Sequence, residues 1–125
     1  MNVHRQIAVI APEQMISAFS VLIDSVPDQC LLASATRLDE LIGIIGHEKP
    51  DVVLIYLVRE NSSEYENSAY QVITRVKQIW PESLCVTIVK YPSQLAKVKE
   101  FGADLALVEG VNAGKLLAAI EGKLT

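Results

Sequence analysis

The stretch Pro50-Asp51-Val52-Val53-Leu54-Ile55-Tyr56-Leu57 limits what this chain can fold into more than any other. After Asp51 it is apolar without interruption. A strand open to water on one face alternates apolar with polar residues, whereas one covered on both faces does not. The β-branched Val52, Val53 and Ile55 prefer extended backbone to the crowded turns of a helix. Pro50 closes whatever precedes the run, because the residue before a proline avoids helical backbone angles. The run therefore reads as the middle strand of a parallel sheet with helices on both sides. Beyond it the chain turns polar, and Arg59 to Asn67 is expected to be a surface loop, serving a partner or a lid only in the alternative reading. Ligands collect beyond the carboxyl ends of such central strands, so the residue at Tyr56 carries much of the functional argument.

The rest of the chain supplies the neighbours that such a strand needs. Gln6 to Ile10 is a first strand. Pro12 suits the first turn of a helix, and Met15, Phe19, Leu22, Ile23 and Val26 recur at helical spacing, which predicts a helix from Pro12 to about Ser25. Cys30 to Ala33 is a short second strand. Leu38, Leu41, Ile42 and Ile45 mark a second helix, ended by Gly46. Tyr70, Ile73, Val76, Lys77 and Trp80 fit a third helix, stopped by Pro81. Leu84 to Val89 is a fourth strand, Gln94 to Phe101 a short helix capped by Gly102, and Leu105 to Val108 a fifth strand. The last helix starts at Asn112 as N-cap and runs to about Leu124. Strand and helix thus alternate about five times, the pattern of a parallel sheet between two helical layers. The expected fold is a single doubly wound (βα)5 three-layer sandwich, flavodoxin-like, with strand order 2-1-3-4-5. Its crevice opens at the ends of the first and third strands, among Ala11, Pro12, Glu13 and Tyr56.

Composition narrows the functions. A chain of 125 residues, 50% hydrophobic and 21% charged, is one globular domain able to bury a full core. Its formal net charge of −4 and its scattered basic residues argue against a nucleic-acid surface. No apolar stretch reaches membrane-spanning length and the start is not a signal peptide, so a cytoplasmic protein is expected. Cys30 and Cys85 lie in apolar runs and read as core thiols, a disulfide being the competing reading. His4 and His47 have no second ligand at metal spacing. Ser62 and Ser63 have no histidine to activate them. No Gly-rich loop follows the first strand. No metal or cofactor is therefore expected, and no enzymatic constellation is visible.

Ile7-Ala8-Val9-Ile10, Lys49 to Ile55, Ile79-Trp80-Pro81-Glu82 and Phe101-Gly102-Ala103-Asp104 together resemble the receiver domain of bacterial two-component response regulators, in order and over nearly the whole chain. Leu116 to Glu121 also looks like receivers that carry a helix-turn-helix output domain. The resemblance implies one receiver-like domain over residues 1–125, standing alone or as the N-terminal part of a longer regulator. A receiver places an aspartate at the end of the third strand as nucleophile toward a phosphoryl donor. Two acidic residues after the first strand hold Mg²⁺. Here the nucleophile position is Tyr56, and Ala11 and Pro12 stand for the acidic pair, with Glu13 beside them. The hydroxyl position after strand four is Lys90, the lysine position after strand five is Glu109, and the aromatic switch position is Ala106. Asp51 is no substitute nucleophile, since it precedes the strand and belongs at the opposite edge of the sheet.

The resemblance implies a pseudo-receiver: the fold kept, the phosphoryl chemistry gone. Lys90 and Glu109 are expected either to face each other as an ion pair, with the Tyr56 hydroxyl contributing, or to stand as separate solvated charges. The first functional expectation is a signalling module that binds a protein partner or a second copy of itself, without aspartyl phosphorylation. Related receivers use the face of helix four, strand five and helix five, or that of helices one and five. Ala113, Leu117 and Ala118 on the last helix, and Met15 and Phe19 on the first, are candidate dimer contacts unless they are core. The second expectation, of a different class, is a small-molecule sensor using the crevice near Pro12, Tyr56 and Lys90.

Overall fold

A computed structural model describes residues 5–57 and 63–121, and the side chains of 5–57 and 70–121. Five parallel strands alternate with helices: β1 (Arg5–Ile10), α1 (Glu13–Asp24), β2 (Gln29–Ala35), α2 (Leu38–Ile45), β3 (Val52–Tyr56), α3 (Ser63–Ile79), β4 (Leu84–Val89), α4 (Leu95–Glu100), β5 (Leu105–Val108) and α5 (Ala113–Ile120). A 3-10 turn over Pro92–Gln94 leads into α4. The strand order is β2-β1-β3-β4-β5, as the alternation of elements requires. β3 lies between β1 and β4, pairing Ile10 with Ile55 and Tyr56 with Ile88.

The period of two along each strand sends side chains into two separate cores. Ala8, Ile10, Val53, Ile55, Cys85 and Val89 face α2, α3 and α4, where Leu41, Ile73, Val76 and Val98 cover them. Ile7, Val9, Val52, Leu54, Val86 and Ile88 face α1 and α5, covered by Phe19, Ile23, Leu116 and Ile120. Val52, Val53, Leu54 and Ile55 are all fully buried, which is why this run carries no polar residue. Both cysteines are free thiols; Cys85 is buried and Cys30 half-buried.

Several expectations need correction. The second strand extends to Gln29 and Ala35 instead of ending at Ala33, because Ala33 and Ala35 are buried while Ser34 between them is not. The supposed loop from Arg59 to Asn67 already belongs to α3 from Ser63 onward, so its polar composition marked helix and not coil. Residues 58–62 lie outside those described. The first helix is shorter than expected at both ends, with Pro12 as its N-cap. The fourth is shorter still, since Gln94 closes a 3-10 turn ahead of it. Asn112 caps α5 as expected, accepting from the Lys115 N–H at 2.8 Å, while the expected end near Leu124 lies outside the described residues.

A second polar anchor lies at the amino-terminal edge of the sheet. Asp51 Oδ2 accepts from the Gln6 N–H at 2.7 Å, while its backbone bridges Gln6 and Leu84. This fixes Asp51 at the edge opposite Tyr56. Asp104 Oδ2 accepts from Lys77 Nζ at 2.9 Å and from the Cys85 N–H at 2.8 Å, which ties α3 to the starts of β4 and β5. Gly102 lets the chain enter β5: its φ is 119°, and a Cβ there would sit 3.2 Å from Lys77 Cγ.

Candidate functional site

Backbone ladders running past the strand ends fix the carboxyl edge of the sheet. The Ala11 N–H donates to the Ala35 carbonyl at 3.1 Å, Leu57 N–H to Ile88 carbonyl at 2.8 Å, and Glu109 N–H to Val89 carbonyl at 2.7 Å. The residues after β1, β3, β4 and β5 therefore stand in one row. Ala11 is buried, 2% exposed, while Pro12 is half-buried and Glu13 points to solvent. No second acid joins Glu13; among the described residues no three histidine, cysteine or acidic side chains gather at metal-binding distance.

Tyr56 ends β3 on the side facing α1 and α5. Its ring meets Phe19 edge-on, with centroids 5.7 Å apart and planes at 60°. Glu109 follows Leu107 by two residues, just past the end of β5, where its N–H still pairs with Val89, so alternation points it to that same side. The Tyr56 phenol lies close enough to the Glu109 carboxylate to feel its charge. Burial, then that charge, raise the phenol above its ordinary pKa of 10.0. Tyr56 is thus a neutral donor at any physiological pH. A phenol cannot form an acyl phosphate, and a neutral one is a weak ligand for a hard cation.

The expected Lys90–Glu109 ion pair does not form. The ion pairs among the described residues are Arg37–Asp39 and Lys77–Asp104. Adjacent backbones do not bring these two charges together, because β4 ends at Val89 and the chain turns at Lys90. The Lys90 N–H is held by Gln94 Oε1 at 3.2 Å, and Nζ lies over the Tyr91 ring, 5.5 Å from its centroid. Glu109 lies instead close to the phenol, whose pKa its charge raises.

Ala106 is half-buried on the α4 side of the sheet. Together with Leu95, Val108, Val111 and Lys115 it lines a cavity of about 360 Å³ between α4 and the β5–α5 turn. A second cavity of about 310 Å³ lies at the other end of the molecule, against Trp80, Pro50 and Pro81. Of the candidate dimer contacts, Phe19 is 6% exposed and belongs to the core, spent on Tyr56. Met15, Leu117 and Ala118 are half-buried, and Ala113 is exposed. Sequence reading missed Gln94 and Thr74. Gln94 carries its chemistry from a buried position, and the one signal available was a glutamine just after the Tyr91-Pro92 turn, where an amide can close on free backbone N–H groups.

No family model matches the chain, and no curated protein sequence matches it. Solved structures do. A response regulator from Thermotoga maritima aligns over 97% of this chain and 98% of its own, with a TM-score of 0.76 and 13% identity. The P1 domain of CheA3 in complex with CheY6 from R. sphaeroides provides a chain aligned over 98% of this one and 97% of itself, at TM-score 0.72 and 15% identity. A response regulator protein from Burkholderia pseudomallei, solved with a phosphorylated aspartic acid, calcium ion and citrate, aligns over 93% of this chain and 66% of its own, at TM-score 0.70 and 18% identity. At such identities the likeness is one of architecture: the chain has the receiver fold of two-component response regulators.

Proposed function

We propose that this chain is a pseudo-receiver, a module that binds a protein partner in signal transduction without aspartyl phosphorylation. The observation that carries the reading is the Tyr56 phenol at the end of β3, beside the Glu109 charge and packed on Phe19. Phosphoryl transfer at that point needs a carboxylate nucleophile and a divalent cation to offset the charge on the moving group. Tyr56, Ala11 and Pro12 supply neither.

The partner-facing surfaces follow from the helices that flank this edge. α5 offers the exposed Ala113 and the half-buried Leu117 and Ala118, and α1 offers the half-buried Met15. Small and apolar residues along two neighbouring helices suit contact with another helix, from a partner or from a second copy. No helix among the described residues is long and apolar enough to cross a membrane.

The test uses acetyl phosphate and beryllofluoride, each with Mg²⁺. Intact mass and thermal unfolding are expected to stay unchanged with both. A phosphoryl adduct, or a rise in unfolding temperature that requires beryllofluoride and Mg²⁺ together, would refute the proposal.

A further inference from the structure

Helix α3 grips the short helix α4 at both ends. Tyr70 and Thr74 are four residues apart on α3 and so lie on one side of it. At the leading end of α4, Gln94 Nε2 donates to the Tyr70 hydroxyl at 2.8 Å. Gln94 Oε1 accepts from the Tyr91 N–H at 2.9 Å and the Lys90 N–H at 3.2 Å. At the trailing end, Thr74 Oγ1 donates to the Phe101 carbonyl at 2.9 Å. The Tyr70 ring fills the space between, its centroid 5.4 Å from that of Phe101 and 5.3 Å from Lys97 Nζ. Tyr70 is 1% exposed and Gln94 9%, so water competes little for these bonds.

Two features make this more than ordinary packing. A helix of six residues has too few internal bonds to hold its own position. The amide of Gln94 is also the group the place demands, since it accepts from two backbone N–H groups and donates to a hydroxyl at once. Glutamate lacks the donor and leucine lacks both functions.

We infer that Tyr70 and Gln94 form a clamp that fixes the β4–α4 connection and α4 in a single arrangement. The surface there, with Tyr91 54% exposed at its edge, is then presented ready-made, whatever happens at Tyr56. The purpose of the clamp rests on the pseudo-receiver reading, because a module that is not switched needs its binding surface built in; its geometry does not.

Native-state hydrogen exchange tests it in wild type and Tyr70→Phe. The Lys90 and Tyr91 amides are both held by Gln94 Oε1, so their acceleration on loss of the Tyr70 hydroxyl reports on the hold of Gln94. Exchange at those two amides, taken relative to the Leu54 amide of β3, is expected to rise about tenfold in Tyr70→Phe. No rise in that ratio would overturn the clamp, since a loss of global stability alone speeds the Leu54 amide at least as much as the other two. Should Tyr70→Phe not fold, Gln94→Leu read at the Val98 and Phe101 amides of α4 serves instead, with the same expectation and the same overturning result. A phosphoryl adduct in the acetyl phosphate experiment would refute the functional reading and leave this ratio untouched, so the two failures are distinguishable.

Discussion

Replacing Tyr56 by phenylalanine removes one oxygen and leaves the ring against Phe19, so it isolates the interaction of the hydroxyl with Glu109. A hydrogen bond to a charged acceptor contributes about 1.5–3 kcal/mol when its partners are shielded. Glu109 is exposed, and its carboxylate regains water when the phenol goes. The expected loss therefore sits below that range, at about 1 kcal/mol, or about 4 °C in unfolding temperature for a domain of this size. Tyr56→Ala strips the ring as well. A fully buried aromatic costs about 3–5 kcal/mol when cut to alanine, and a half-buried one here should cost about 2–3 kcal/mol. Urea unfolding of Tyr56→Phe, Glu109→Gln and the double variant closes a cycle with an expected coupling of about 1 kcal/mol. The pH dependence has a fixed sign. The folded protein holds the phenolic proton more tightly than the unfolded chain, because burial and then the Glu109 charge disfavour phenolate. The stability from this group is whole below pH 10.0, the unfolded value, and is lost as pH rises through the folded value. Coupling under about 0.3 kcal/mol, the ordinary scatter of independent sites, would refute this interaction at the edge.

Asp104→Ala leaves the Cys85 N–H and Lys77 Nζ without their shared acceptor, and should lose about 1–2 kcal/mol in urea unfolding. Gly102→Ala forces a side chain onto a φ of 119° and against Lys77 Cγ, and should lose about 1–2 kcal/mol in the same assay. Burial lifts the Cys85 thiol to about 11, so a disulfide reagent at neutral pH should modify Cys30 quickly and Cys85 only with unfolding; two fast thiols would contradict this. Tyr56→Asp should gain no phosphoryl group from acetyl phosphate and Mg²⁺ by intact mass, because Ala11 and Pro12 still offer the cation no carboxylate.

The architecture was legible because its causes are local and repeated. Val52 to Ile55 could be apolar throughout only if both faces were covered, and they are. Right-handed crossovers then leave few orders for five such strands, and β2-β1-β3-β4-β5 is the common one. The errors fell where composition stood in for geometry. Ser63 to Asn67 belongs to α3, and polar composition alone cannot tell a helix from a loop. Gln94 looked like the start of a helix, and its side chain instead closes a turn and reaches α3.

The site divides in the same way. Which residues share the carboxyl edge follows from strand ends alone, so Ala11, Tyr56, Lys90 and Glu109 could be placed in one row from sequence. Which of them touch depends on where each side chain leaves the backbone. Opposite charges at neighbouring strand ends made Lys90 and Glu109 the natural pair, yet the chain turns at Lys90 and takes its ammonium toward Tyr91. A partly exposed ion pair contributes only about 0–1 kcal/mol, too little to bend a turn already fastened by Gln94. Glu109 therefore stays near the phenol on its own face of the sheet, a placement that needs no rearrangement. The weak long-range attraction yields to the stronger local restraint, and that ordering of energies explains why the edge holds a neutral donor and a carboxylate with the lysine turned away.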